Sequence, residues 1–269
     1  GETEGHWISQ FLWMPVPYGA QNQWQQYRVA FRGADFMTRW DEYLKVANGE
    51  WPPGIMNHYA DLYYLRSGRD VSEYVHWDFC NQAAINAAAI LLANPHRPRE
   101  AWPTSNPYKT SRTMNGFVQF GSGYAQNAMG VVCDLAFKAC WQEKWLRHRA
   151  LRPEEYGALV DRAVRGENTG VHPLIVNSEA VKRVRSKYGS ALLPQAYPEG
   201  CPPHPAYPSG HATVAGACVT VLKALFDEKR KLRFPLQPTR DGKDWQSFVV
   251  SPRAKAKIQG YTGDSCSEC

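Results

Sequence analysis

Between residues 124 and 145 an aliphatic or aromatic side chain returns every three or four positions, the repeat of a helix rather than the alternation of a strand. A helix of that length is stable in water only when other elements cover its apolar stripe, so the run demands partners. Helix-compatible periodicity also marks residues 34–48, 70–93, 124–151, 153–165, 178–188 and 209–229, often with Ser, Asp or Pro near the start. The connections 94–106 and 195–207 are rich in Pro and polar side chains. Strand signals are weak, with Phe248, Val249 and Val250 forming one short extended piece, and no internal repeat or low-complexity tract is present. The pattern predicts an all-α helical bundle. A chain of 269 residues with 43% hydrophobic and 13% aromatic content can fill a substantial core, and we read it as a single domain over residues 1–269.

One segment carries chemistry. Pro208, Ser209, Gly210 and His211 lead directly into the apolar run 212–226. The first N–H groups of a helix have no partner inside it, and with the helix dipole they attract phosphate-like oxyanions. Ser209 adds a hydroxyl donor, Gly210 lets the backbone come close to the anion, and His211 can move a proton to or from one of its oxygens. The same residues also fit an ordinary N-cap, with Ser209 capping and Pro208 stiffening the entry.

A second segment is basic. Lys144, Arg147, His148, Arg149 and Arg152 end the 124–151 run, and Pro153 is expected to stop that helix near Leu151. Lys144 then sits on its last turns and Arg152 at its exit, both able to point past the helix end. Solvated cations compensating the C-terminal dipole explain this cluster without any ligand.

Lys144 is followed eight residues on by Arg152-Pro153, and later by Pro208-Ser209-Gly210-His211. In this order and spacing the chain resembles the vanadium-dependent haloperoxidases, a family related to the acid phosphatases that share Pro-Ser-Gly-His. The Lys-to-Arg spacing is that of the bromoperoxidase branch, one residue longer than in the acid phosphatases and the fungal-type chloroperoxidases. Residues 8–12, Pro17-Tyr18-Gly19, residues 117–121, Lys144-Trp145, His148-Arg149, Arg152-Pro153-Glu154 and residues 204–213 are similar to that branch as well, so the likeness extends over about residues 5–264.

The resemblance implies a helical bundle of the haloperoxidase and acid phosphatase type and a vanadate cofactor, for which phosphate can substitute. Lys144, Arg152 and Ser209 would donate hydrogen bonds to its equatorial oxygens with the Gly210 amide assisting, and His211 would bond its apical oxygen. Several fixed, charge-assisted donors are what such an anion requires. Catalysis would fall to His211, Lys144 and His204, with Lys144 polarising bound peroxide for attack by halide and hypohalous acid halogenating an organic acceptor. Vanadium(V) keeps its oxidation state in this scheme, so neither haem nor flavin is implied. His204 stands seven residues before His211, as a histidine does in the bromoperoxidase branch. Its imidazole would tune protonation near neutral pH, and bromide and iodide are the expected halides, alongside hydrogen peroxide. A loop histidine between Pro203 and Pro205 with no role is the other reading. Trp145 is expected to pack beside the anion pocket, His148 to be a supporting or packing residue, and Arg147 and Arg149 to be solvated or paired with Glu154 and Glu155. Family members assemble as dimers or larger oligomers, which implies a homo-oligomer here.

The family also has a third motif, an Arg followed six residues later by the His that bonds vanadium. Histidines stand here at 6, 58, 76, 96, 148, 172, 204 and 211, and none follows His211. Tyr261-Thr262-Gly263-Asp264 resembles the loop before that motif. No residue is therefore assigned as the metal ligand; His172 is conceivable on spacing, but its Gly170-Val171-His172-Pro173 setting does not support it. The expectation is a domain truncated at its C-terminus, or one completed by a partner, whose uncovered apolar surface favours association. Two rival functions follow: a Pro-Ser-Gly-His acid phosphatase in which His211 protonates a leaving group, and a non-catalytic oxyanion-binding or assembly fragment.

A net charge of +6 spread along the chain, without aromatic residues interleaved among the basic ones, suits small anions and not nucleic acid. The apolar stretches 83–93 and 214–226 fall short of the ~20 residues that cross a bilayer. Gly1-Glu2-Thr3-Glu4 carries acids where a signal peptide has a positive start, and the compartment stays open. Of seven cysteines, Cys80, Cys133, Cys140, Cys201 and Cys218 read as free thiols in mostly apolar settings. Cys133 and Cys140 lack companions at zinc spacing, and the terminal Cys266 and Cys269 lack the setting of a redox motif.

Overall fold

The computed structural model describes residues 8–50, 52, 54–93, 101–229 and 236–247. Helices dominate them: α1 Trp40–Ala47, α2 Gly68–Trp77, α3 Gln82–Leu92, α4 Ser122–Gln142, α5 Pro153–Val164, α6 Pro173–Val176, α7 Glu179–Tyr188 and α8 Gly210–Leu225. Two antiparallel hairpins are added, β1 Val16–Tyr18 with β2 Gln21–Gln23, and β3 Leu236–Pro238 with β4 Trp245–Ser247. The fold is a helical bundle, as the periodicity predicts. The chain forms two compact units: a first from the described parts of Gly1–Val29, Ala60–Ala139 and Gly210–Cys269, and a second from Ala30–Tyr59 and Cys140–Ser209.

The core of the first unit uses small side chains. Ala88 of α3, Met129, Cys133 and Ala136 of α4, and Val214 and Cys218 of α8 form one buried cluster. Alanine and cysteine at these positions let the three helices approach closely, and at interior packing density even one missing methylene is felt. Met129→Ala is therefore expected to cost about 2–5 kcal/mol. A neighbouring cluster holds Leu91, Ala101, Trp102, Ala125 and Phe226, with the Trp102 and Phe226 rings stacked at 5.1 Å. Gln10 fastens the hairpin strand β3 by a reciprocal pair, its amide donating to Leu236 O at 2.8 Å while Leu236 N–H donates to Gln10 Oε1 at 2.6 Å.

Asp161 of α5 is the polar hub of the second unit. Its carboxylate is buried, accepts from the Trp40 indole at 2.6 Å and the Ala191 amide at 2.5 Å, and pairs with Arg165 at 2.7 Å. Its loss would strand two donors, a penalty of about 1–3 kcal/mol for each that stays buried. Gly157, one turn earlier on α5, is needed for contact: a Cβ there would lie 2.8 Å from Leu193 Cβ.

Several boundaries differ from those the periodicity predicts. The 34–48 run becomes helical only at Trp40, because Met37 takes a left-handed φ of 57° and Phe36 bridges Gln195 in extended pairing. The 70–93 run is two helices separated at Asp78, whose ψ of 156° is extended. The helix expected to end near Leu151 stops earlier. It passes from α4 into a π-helical turn, Glu143–His148, and ends where Arg149 adopts a left-handed φ of 45°. Pro153 starts the next helix instead, since its missing N–H costs nothing at the first helical position. Helices α5, α7 and α8 follow the predicted runs closely. Phe248 to Val250, the predicted extended piece, lies outside the described residues, as do Tyr261-Thr262-Gly263-Asp264, Cys266 and Cys269.

Candidate functional site

In the second unit the structure brings Lys144, Arg152 and His204 into one electrostatic group. Lys144 lies in the π-helical turn and is fully buried, with Nζ donating to Pro205 O at 2.6 Å. Burial pushes its pKa down first, and the Arg152 charge does so further, against the opposing influence of Cys140. Arg152 stands at the N-cap of α5, its backbone N–H donating to Glu155 Oε2 at 2.8 Å. Its side-chain Nε is shielded from solvent and has no acceptor among the described residues. Neither cation is ion-paired with a carboxylate among the described residues. Lys144 is buried and Arg152 half-buried, and buried charge without a counterion is costly.

His204 is biased toward the neutral form. Burial lowers its pKa first, and the Lys144 and Arg152 charges add to this, opposed by a hydrogen bond to Pro205 O. Its ring rests on Trp141 with centroids 5.0 Å apart, and Nδ1 lies 3.1 Å from Pro205 O. With Nδ1–H as donor, Nε2 is left as an acceptor. One carbonyl, that of Pro205, thus positions both His204 and Lys144. The same loop is fixed to the helix end by the Ala206 amide on Ala150 O at 3.0 Å and by the Cys140 thiol on Pro208 O at 3.4 Å.

Arg147 and Arg149 are exposed, as the solvated alternative expects, and it is the alternative pairing with Glu154 and Glu155 that does not occur. Arg147 pairs with Glu143 at 3.4 Å, and Arg149 Nε donates to Trp145 O at 2.8 Å, so neither reaches Glu154 or Glu155. The left-handed turn at Arg149 redirects the chain before those acids begin. Glu154 is buried and accepts from the Cys201 amide at 3.2 Å. The Cys201 thiol beside it is pushed up to about 11, by burial first. Trp145 is 42% exposed, and His148 meets Tyr207 edge-on at 4.7 Å. His172 caps α6, its Nδ1 accepting from the Leu174 amide at 3.2 Å.

In the first unit, Gly210 and His211 open α8, directly after Ser209 in the chain. A Cβ at Gly210 would come within 3.3 Å of Phe137 Cε1, so this helix start is tightly seated. His211 Nε2 lies 3.0 and 3.1 Å from the two carboxylate oxygens of Asp78, whose side chain is only 6% exposed. That bond raises the His211 pKa, against the opposing effect of burial. Asp78 is the candidate site residue that motif reasoning misses. The available signal is an acid between Trp77 and Phe79, an apolar setting that requires a partner.

A family model, the VCPO second helical-bundle domain, matches residues 125–260, which contain Lys144, Arg152, His204, Ser209, Gly210 and His211. The chain belongs to the vanadium-dependent haloperoxidase family. It is 34% identical over 235 residues to a vanadium-dependent bromoperoxidase of Corallina officinalis, covering 79% of this chain and 39% of that protein. A vanadium-dependent bromoperoxidase of Ascophyllum nodosum is 34% identical over 221 residues, 77% of this chain and 39% of the relative. The chain thus spans about two-fifths of the length of these curated relatives. Among solved structures, a homohexameric vanadate-dependent bromoperoxidase of Ascophyllum nodosum superposes with a TM-score of 0.82 at 30% identity, covering 92% of this chain and 43% of that one. Among the described residues no helix is long and apolar enough to cross a membrane.

Proposed function

We propose that this haloperoxidase chain supplies the oxyanion-binding residues of a vanadate-dependent enzyme that oxidises bromide, and iodide, with hydrogen peroxide. Lys144, Arg152, Ser209, the Gly210 amide and His211 would hold the vanadate. The observation that carries the reading is buried Lys144 beside half-buried Arg152, neither ion-paired with a carboxylate among the described residues and with Arg152 Nε lacking an acceptor among them. This donor set fits a compact oxyanion. Vanadate bound there supplies Lewis-acid activation of peroxide.

Each residue of the chain then has its own task. Lys144, buried and fixed by Pro205 O, keeps a donor aimed at an anionic oxygen and excludes water from it. Arg152 offers a planar fork at the start of α5. Asp78 holds His211 at Nε2, so the proton that His211 exchanges with a reacting oxygen is carried at Nδ1. His204, neutral with Nδ1–H on Pro205 O, presents Nε2 as an acceptor. The halogenating species released is hypohalous acid or its equivalent, taken up by an organic acceptor. The active form is a homo-oligomer, a proposal supported by the homohexameric neighbour.

The test is bromide-dependent halogenation of a dye by hydrogen peroxide, measured on the chain with orthovanadate and on chelator-treated protein. Vanadate-dependent turnover is expected. Saturable vanadate binding without turnover would reduce the chain to an oxyanion-binding module, and absence of both would overturn the proposal.

A further inference from the structure

Cys80 and Cys133 stand 53 residues apart in the chain, yet the Cys133 thiol donates to the Cys80 sulfur at 3.3 Å. Cys80 is exposed, in the turn between α2 and α3. Cys133 is 2% exposed, in the core cluster of α3, α4 and α8. Burial first, then the bond to Cys80, pushes the Cys133 thiol up to about 12, so it remains protonated at neutral pH. The pair is therefore asymmetric: one sulfur meets solvent and receives a hydrogen bond, the other waits beneath it. Exposure of this kind decides which thiol an oxidant reaches first.

We propose that Cys80 and Cys133 form a peroxide-oxidisable pair that closes to a disulfide and ties the α2–α3 turn to α4. Cys80 sulfur attacks one peroxide oxygen, the O–O bond breaks, water leaves and a sulfenic acid remains. The Cys133 sulfur then attacks the Cys80 sulfur, the S–O bond breaks, a second water leaves and the S–S bond forms. Two thiols lose two electrons and two protons, and one hydrogen peroxide becomes two waters. Closing the pair moves the sulfurs from 3.3 Å to the ~2.05 Å of a disulfide.

The placement gives the bond a purpose. Asp78, which holds His211, is two residues before Cys80 in the same turn. Anchoring that turn to the core of α4 would keep the carboxylate in place, and the trapped sulfenic acid could not advance to irreversible oxidation states. The inference goes beyond the proposed activity and needs only peroxide as reagent, so it stands or falls separately from it.

The reduced full chain is treated with hydrogen peroxide without vanadate or halide, remaining thiols are alkylated, and non-reduced peptides are mapped by mass spectrometry. A Cys80–Cys133 cross-linked peptide is expected, lighter by two hydrogens and separated again by dithiothreitol. Cys218→Ala, which removes the third thiol of the cluster, should leave this cross-link intact, whereas Cys133→Ser should convert Cys80 to sulfinic or sulfonic acid. Mapping of the parent chain decides the matter whatever the folding of the variants. Sulfinic or sulfonic Cys80 above a fully alkylated Cys133 overturns the proposal, as does a cross-link to another cysteine or no oxidation of Cys80.

Discussion

His204 in the second unit lies against Trp141 and feels the Lys144 and Arg152 charges, whereas His211, seven residues later in the first unit, shares a hydrogen bond with the buried Asp78 carboxylate. The two imidazoles are pushed apart in pKa from the same ordinary value, His204 downward and His211 upward. Separation of this kind lets one chain keep a neutral acceptor and a protonated donor at the same pH. Their linkage to stability has opposite signs. The His204 contribution is present above the ordinary histidine value and is lost as pH falls toward its depressed pKa. The His211 contribution is present below the ordinary value and is lost as pH rises through its raised pKa.

Substituting Lys144 by Met, close in length but uncharged, should break the cationic side of the comparison. Vanadate-dependent bromide oxidation is expected to fall by about 10²–10³-fold, and the His204 titration followed by NMR should move up toward the ordinary value. An unmoved His204 would mean that burial and Arg152 set it without Lys144. Asp78→Asn attacks the other side. The His211 titration should fall, activity should drop by about 10–100-fold through loss of orientation, and folding stability should change by less than about 1 kcal/mol because His211 is half exposed and the pair is screened. Arg152→Lys keeps the charge and removes the fork, so vanadate affinity is expected to weaken by roughly tenfold, about 1.4 kcal/mol. His204→Ala is the mildest change. Bromide turnover should fall a few-fold and iodide turnover less, and equal rates for variant and parent would deprive His204 of its role.

Legibility in the sequence followed the kind of interaction involved. Helices α5 and α7 are readable because Pro153 and Ser178 announce their starts, and Ser178 does cap the Val181 amide at 3.3 Å. The break at Asp78 is not, since no glycine or proline marks it and the partner of its side chain lies 133 residues away. The β1–β2 hairpin is missed for a related reason. Three-residue strands carry too little alternation, and only Gly19, with φ at 61°, hints at the tight turn between them. Lys144, Arg152 and His204 are legible as a motif, and the structure adds their shared electrostatics and the Pro205 carbonyl that positions two of them. The exposure of Arg147 and Arg149 is legible but their partners are not, because the π-helical turn and the left-handed residue after it change which side chains face one another.

The central claim is that buried Lys144 and half-buried Arg152, neither ion-paired with a carboxylate among the described residues, make an oxyanion site. Equilibrium dialysis of orthovanadate against the parent chain and Lys144→Met tests it most directly, with circular dichroism confirming that both are folded. The account predicts saturable binding by the parent and binding weakened by about 10²-fold or more in the variant. Equal vanadate affinity in the two proteins would contradict it.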